Sequence, residues 1–108
     1  MASYFFIQSV DSLTNSLTDE QFRLMQDLAE RNNTVQVLLV QNAVFMAKSG
    51  VQCTGLDALI SKGIKVFVDD FSLLQRGIAK ADIRSDLKPA EISCVVDAML
   101  DQQKVIWN

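Results

Sequence analysis

Apolar residues along this chain gather into short runs that alternate with stretches of helical period, and polar clusters separate the two. Tyr4 to Ser9 is rich in aromatic and branched side chains and reads as a first strand. After the polar segment Asp11 to Ser16, Thr18 and Gln21 have the spacing of a capping box, with Leu17 and Phe22 placed for a hydrophobic staple. Asp19 and Glu20 suit the positive end of that helix, whose stripe is Phe22, Met25 and Ala29 with Leu24 and Leu28 beside them. Asn32-Asn33 ends it.

Val35 to Val40 is apolar enough to be buried on both faces, as parallel strands are. Gln41-Asn42 forms its polar exit, and Ala43 to Lys48 predicts a short helix stopped at Gly50. Thr54 is placed to cap a helix over Leu56 to Lys62, with Gly63 as its left-handed terminator. A third run, Ile64 to Val68, stops at Asp69-Asp70, and a two-turn helix then closes on Gly77. Ala79 to Leu87 leaves room for a short fourth strand running into Lys88. Glu91 to Gln102 predicts a helix with Ile92, Val95, Val96, Met99 and Leu100 facing inward, and Lys104 to Trp107 a last strand. Strands alternating with helices imply right-handed crossovers. The predicted fold is therefore a three-layer α/β/α domain spanning 1–108, with a small, mostly parallel sheet of about five strands.

Composition narrows the function. At 108 residues and 49% apolar content the chain can build one core. No apolar run approaches the roughly 20 residues needed to span a membrane. Met1 to Ile7 lacks the basic flank of a secretory leader, and its apolar run is too short for one. Two cysteines make no disulfide framework, so the expected compartment is the cytoplasm. With no histidine, neither a Ser/His/Asp nor a Cys/His catalytic set exists, and no metal site or cofactor is expected. A net charge of −3 argues against direct binding to nucleic acid.

Parallel strands bring their C-terminal ends to one edge, which here would gather Ser9 and Asp11, Gln41 and Asn42, and Asp69 and Asp70. Such an edge forms a polar pocket or docking surface. The same residues equally serve the backbone, Asp70 as an N-cap and Gln41 and Asn42 as loop partners. No Gly-x-Gly-x-x-Gly or Walker lysine loop follows any strand, and the acidic pair follows the third strand rather than the first, unlike a phospho-accepting receiver. Cys53 precedes a helix start, where a thiolate is favoured, which suits a persulfide carrier; it equally fits a small loop residue. Cys94 falls among core positions of the last helix. Phe6, Phe45, Phe67 and Trp107 are expected in the core or a subunit interface.

The order of elements, with Val37-Leu38-Leu39-Val40-Gln41-Asn42-Ala43-Val44, Gly63-Ile64-Lys65-Val66-Phe67-Val68, Leu74-Gln75-Arg76-Gly77-Ile78 and Lys104-Val105-Ile106-Trp107-Asn108, resembles the DsrE/DsrF/DsrH-like sulfur relay family over nearly the whole chain. It looks closest to the DsrH (TusB) branch. The resemblance implies cytoplasmic hetero- or homo-oligomers that pass sulfane sulfur as cysteine persulfide, in tRNA thiolation or sulfur oxidation. In DsrE-type subunits the carrier cysteine sits eight residues before the glycine of Arg-Gly, a position held here by Asp69. DsrH-type subunits also lack it. The resemblance thus implies a binding or scaffold subunit, partnered by DsrE/DsrF-like subunits or by itself, with Cys53 as the thiol for any accessory transfer. The alternatives are a stand-alone homo-oligomer binding a small ligand at the Gln41/Asn42/Asp69/Asp70 edge, and a sulfurtransferase that uses Cys53.

Overall fold

Successive side chains along each strand point to opposite faces, and both faces of the central strands are buried. The computed structural model describes residues 2–11 and 17–108. Its strands are β1 (Ser3–Gln8), β2 (Thr34–Leu39), β3 (Lys65–Asp69), β4 (Lys88–Ala90) and β5 (Lys104–Trp107). They form one sheet in the order β4-β3-β2-β1-β5, and every neighbouring pair is parallel. The helices are α1 (Leu17–Glu30), α2 (Thr54–Ser61), α3 (Asp70–Gln75) and α4 (Ser93–Leu100), with 3₁₀ turns at Gln41–Ala47 and Lys80–Asp82. Pro89, which has no N–H to give a ladder, lies in β4 at the sheet edge, where such a residue is tolerated.

The two faces are covered unequally. Phe6, Val35, Val37, Leu39, Val66 and Val68 pack with Phe22 and Met25 of α1, Leu56 and Leu59 of α2, and Leu73 of α3. On the other face Phe5, Ile7, Leu38 and Val40 pack only with Val95 and Ala98 of α4 and their half-buried neighbours. Chain direction explains this division. From β1 to β4 each strand is added on the same side, so right-handed connections lay α1, α2 and α3 on one face. From β4 the chain returns past β3, β2 and β1 to place β5, and the same handedness carries α4 across the opposite face.

Helix ends are built alike. After α2, Gly63 (φ 79°) donates to the Ile60 carbonyl and Ile64 to that of Leu59, the paired closure of a Schellman motif. Asn32 after α1, Gly77 after α3 and Gln102 after α4 repeat it, each with a left-handed φ. Asn32, Gly63 and Gly77 are the stops expected from the sequence; Gln102 carries no such signal.

Three expectations are corrected. Thr18 is not an N-cap: it lies inside α1, and its hydroxyl donates to the Val10 and Asp11 carbonyls (3.2 and 3.1 Å). Gln21 does not reach back to close a capping box but accepts from Gln8 Nε2 (2.8 Å), and Leu17 stays exposed. Helix α2 starts at Thr54, with Cys53 at its N-cap position. In α4 only Val95 of the five expected inward residues is buried; Ile92, Val96, Met99 and Leu100 are each more than half exposed. That helix is apolar nearly all round, so its period cannot select a face. Trp107, expected in the core or a subunit interface, is outside the core of this chain, 61% exposed on an edge strand. Of the polar segment before α1, residues 12–16 lie outside the described residues.

Gly55 marks a close contact between α2 and α1. A Cβ built there would stand 2.9 Å from Cδ2 of Phe22, a ring held in the core with 1% of its surface exposed. Gly55→Ala is therefore expected to destabilise the protein by about 1–3 kcal/mol through overpacking, despite alanine's better helix propensity. Urea unfolding checks this, and an unchanged or raised midpoint would contradict it.

Candidate functional site

The topology fixes where a cleft must open. The chain leaves β3 toward the face bearing α3 and leaves β4 toward the face bearing α4, so the segments that follow these paired strands diverge. Open α/β sheets keep ligands at such a switch point. A cavity of about 810 Å³ lies there, lined by Asp69 and Asp70 at the β3 exit, Glu91 and Ile92 at the β4 exit, and Trp107 at the end of β5. Phe71, Leu74 and Val40 add apolar wall. Its mouth is wide, since Phe71, Leu74 and Trp107 each keep more than 60% of their surface exposed.

Asp69 is held by local chemistry. It ends β3 in an extended conformation and N-caps α3, its Oδ2 accepting from the Ser72 N–H (3.1 Å) and the Ser72 hydroxyl (2.6 Å). The same hydroxyl oxygen accepts from the Gln41 N–H (2.8 Å), tying the β2 exit to the β3 exit. The helix cap expected at Asp70 is thus supplied by Asp69, one residue earlier. Asp70 instead faces Lys80, with Oδ2 3.5 Å from Nζ, while its Oδ1 is buried without a hydrogen-bond partner. Asn42 Oδ1 accepts from Arg76 Nε and Nη2 (3.1 and 3.0 Å), which links the β2 exit to the end of α3.

The expected gathering of polar residues divides in two. Gln41, Asn42, Asp69 and Asp70 lie together around α3. Ser9 instead belongs to the β1–β5 end, where its hydroxyl donates to the Asn108 carbonyl (2.6 Å), and the Asp11 carbonyl accepts from Thr18. Ser72 and Arg76 organise the first group, and Glu91, Ile92 and Trp107 complete the cavity. Ser72 was legible three residues after Asp69 as the N3 partner of a cap. Glu91 and Trp107 were not, because only the topology brings them to β3.

The thiols differ in environment. Cys53 is 4% exposed and part of the larger core cluster. Cys94, in the first turn of α4, is half-buried. Burial first, then the nearby charges of Asp69 and Asp97, raise its pKa above that of a free thiol. Among the described residues no three or more acidic, cysteine or histidine side chains are grouped to hold a metal ion, and no helix is long and apolar enough to cross a membrane.

No protein-family model matches the chain, and no curated protein matches it by sequence. Solved structures do match. The ychN protein from E. coli superposes with a TM-score of 0.86 at 16% identity, over 100% of both chains. The two chains share one fold. MTH1491 from Methanobacterium thermoautotrophicum gives a TM-score of 0.77 at 16% identity, over 99% of this chain and 98% of that one. BT1422 from Bacteroides thetaiotaomicron gives 0.76 at 10% identity, over 98% and 94%. At these identities the likeness is one of fold, and it spans the whole sheet.

Replacing Asp69 by alanine removes the cap of α3 and leaves the Ser72 N–H and hydroxyl without their acceptor. The expected cost is about 1–2 kcal/mol, most of which asparagine at the same position recovers because it still accepts. Chemical denaturation of both variants tests this, and equal losses would contradict it. For Cys94, alkylation followed by peptide-resolved mass spectrometry is expected to keep accelerating with pH beyond the range in which a free thiol levels off. Asp69→Asn should shift that profile to lower pH by removing a repelling charge. An unshifted profile would remove Asp69 as a cause.

Proposed function

We propose that this chain is a DsrH-like binding subunit of a cytoplasmic sulfur relay, working with thiol-bearing DsrE/DsrF-like subunits or with copies of itself, in tRNA thiolation or sulfur oxidation. The reading rests on Asp69. The β3 exit, where the resembled carriers keep their cysteine, holds a carboxylate occupied in capping α3 and tied through Ser72 to the β2 exit. A carboxylate forms no persulfide, so this subunit contributes surface and geometry rather than a sulfur atom at that position. An accessory transfer through Cys53 would require local opening, because that side chain is packed in the core. The exposed apolar side chains around the cavity suit contact with another subunit.

The test has two measurements on the full chain. Mixed with the DsrE- and DsrF-type subunits of its own source, the protein is expected to form a stoichiometric complex by native mass spectrometry. Offered a persulfide donor alone, it should carry no sulfane sulfur that passes to an acceptor thiol. A 12.0 kDa monomer in every mixture, or a transferable persulfide on Cys53 or Cys94, would overturn the reading.

A second reading is favoured by the cavity itself, whose volume of about 810 Å³ lies in the range of small-molecule sites. In it the protein is a stand-alone homo-oligomer that binds a small ligand at the Gln41/Asn42/Asp69/Asp70 edge.

A further inference from the structure

Small ligands are selected by what lines the walls and by which charges remain uncancelled. Val40, Phe71, Leu74, Ile92 and Trp107 present an apolar surface with two aromatic rings. Three carboxylates, those of Asp69, Asp70 and Glu91, join one ammonium, that of Lys80. Lys80 pairs with Asp70, and neither Asp69 nor Glu91 makes an ion pair among the described residues. Asp69 is 94% buried by its 6% exposure, and both Ser72 donors go to its Oδ2; its Oδ1 accepts no hydrogen bond among the described residues and keeps contact with solvent, open to a donor from the cavity. Beside it, Asp70 Oδ1 is the oxygen that is sealed from solvent and has no donor. A desolvated carboxylate oxygen without a donor is costly, and a ligand that supplies a charged N–H removes that cost.

We propose that the cavity between the β3 and β4 exits binds a small amphipathic cation, an amine with an apolar or aromatic body. The ammonium is set among Asp69, Asp70 and Glu91, and the body lies against Phe71, Ile92 and Trp107. Aromatic walls favour such a ligand further, because their faces attract cations. The competing class is an anion held at a helix start. It is disfavoured because the first turn of α3 already has its own acids, Asp69 as cap and Asp70 as first residue. This inference deepens the ligand-binding reading and rests on the same cavity; it is independent of the sulfur relay.

Trp107 is the chain's single tryptophan and lines the cavity, so its fluorescence reports occupancy. Three probes of one shape separate the classes at pH 7: 3-phenylpropylammonium, 3-phenylpropanol and 3-phenylpropionate. The cation is expected to change Trp107 emission saturably, with an affinity about tenfold or more above the neutral alcohol and with no saturation by the anion. Added salt should weaken the cation alone. Asp69→Asn keeps an acceptor for Ser72 and should cost the cation about tenfold while leaving the alcohol unchanged. Lys80→Met, at an exposed position, frees Asp70 and should tighten cation binding roughly threefold. Equal binding of cation and alcohol would overturn the charge assignment while preserving a ligand site. Preference for the anion, or a Lys80→Met variant no tighter than the parent, would also overturn it. Absence of saturation by all three probes would remove both the inference and the ligand-binding reading.

Discussion

Right-handed crossover is the constraint from which the rest of this molecule follows. Four strands are laid down in one direction and the fifth is returned to the far side of β1, so one connection must cross the opposite face from the others. That reversal puts α4 alone on its side of the sheet. It also separates the β3 and β4 exits and opens the cavity between them. No residue of the site had to be selected to make the cleft. The side chains at Asp69, Asp70, Glu91 and Ile92 decide only what it contacts.

The acidic pair at the end of β3 divides its work between neighbours. Asp69 lies deeper and secures α3 through Ser72, and through the same hydroxyl it fixes the Gln41 backbone at the exit of β2. Asp70 stands further out and meets Lys80. One side chain therefore both caps α3 and lines the cavity, since Asp69 caps with one oxygen and leaves the other outside the cap.

Much of the fold was legible because local signals agree with the global arrangement. The runs at Tyr4, Val35 and Ile64 are short, branched and bounded by polar exits, and the helix stops at Asn32, Gly63 and Gly77 are residues that enter left-handed conformations cheaply. Legibility failed where the deciding partner lies far along the chain. The α4 sequence offers apolar residues on every side, and only its crossing over Phe5, Ile7, Leu38 and Val40 selects Val95 and Ala98. At Thr18 the capping spacing was present, but the carbonyls of Val10 and Asp11 claimed the hydroxyl. Of the site, the acidic pair and Gln41-Asn42 were visible in the sequence, and the opposite wall was not.

The lopsided cladding of the sheet bears on how the molecule breathes. Helix α4 is eight residues long, buries only two of them fully, and leads into an edge strand paired on one side. Together α4 and β5 form a peripheral unit with few buried contacts of its own, the kind that opens at a lower free energy than a central core. When it lifts, the ladder from β1 to β4 and the face under α1 and α2 remain whole, while Phe5, Ile7, Leu38 and Val40 meet solvent. The earliest excursion from the native state thus uncovers a strip of β1 and β2 together with the free edge of β1, and the cavity loses its Trp107 wall in the same event.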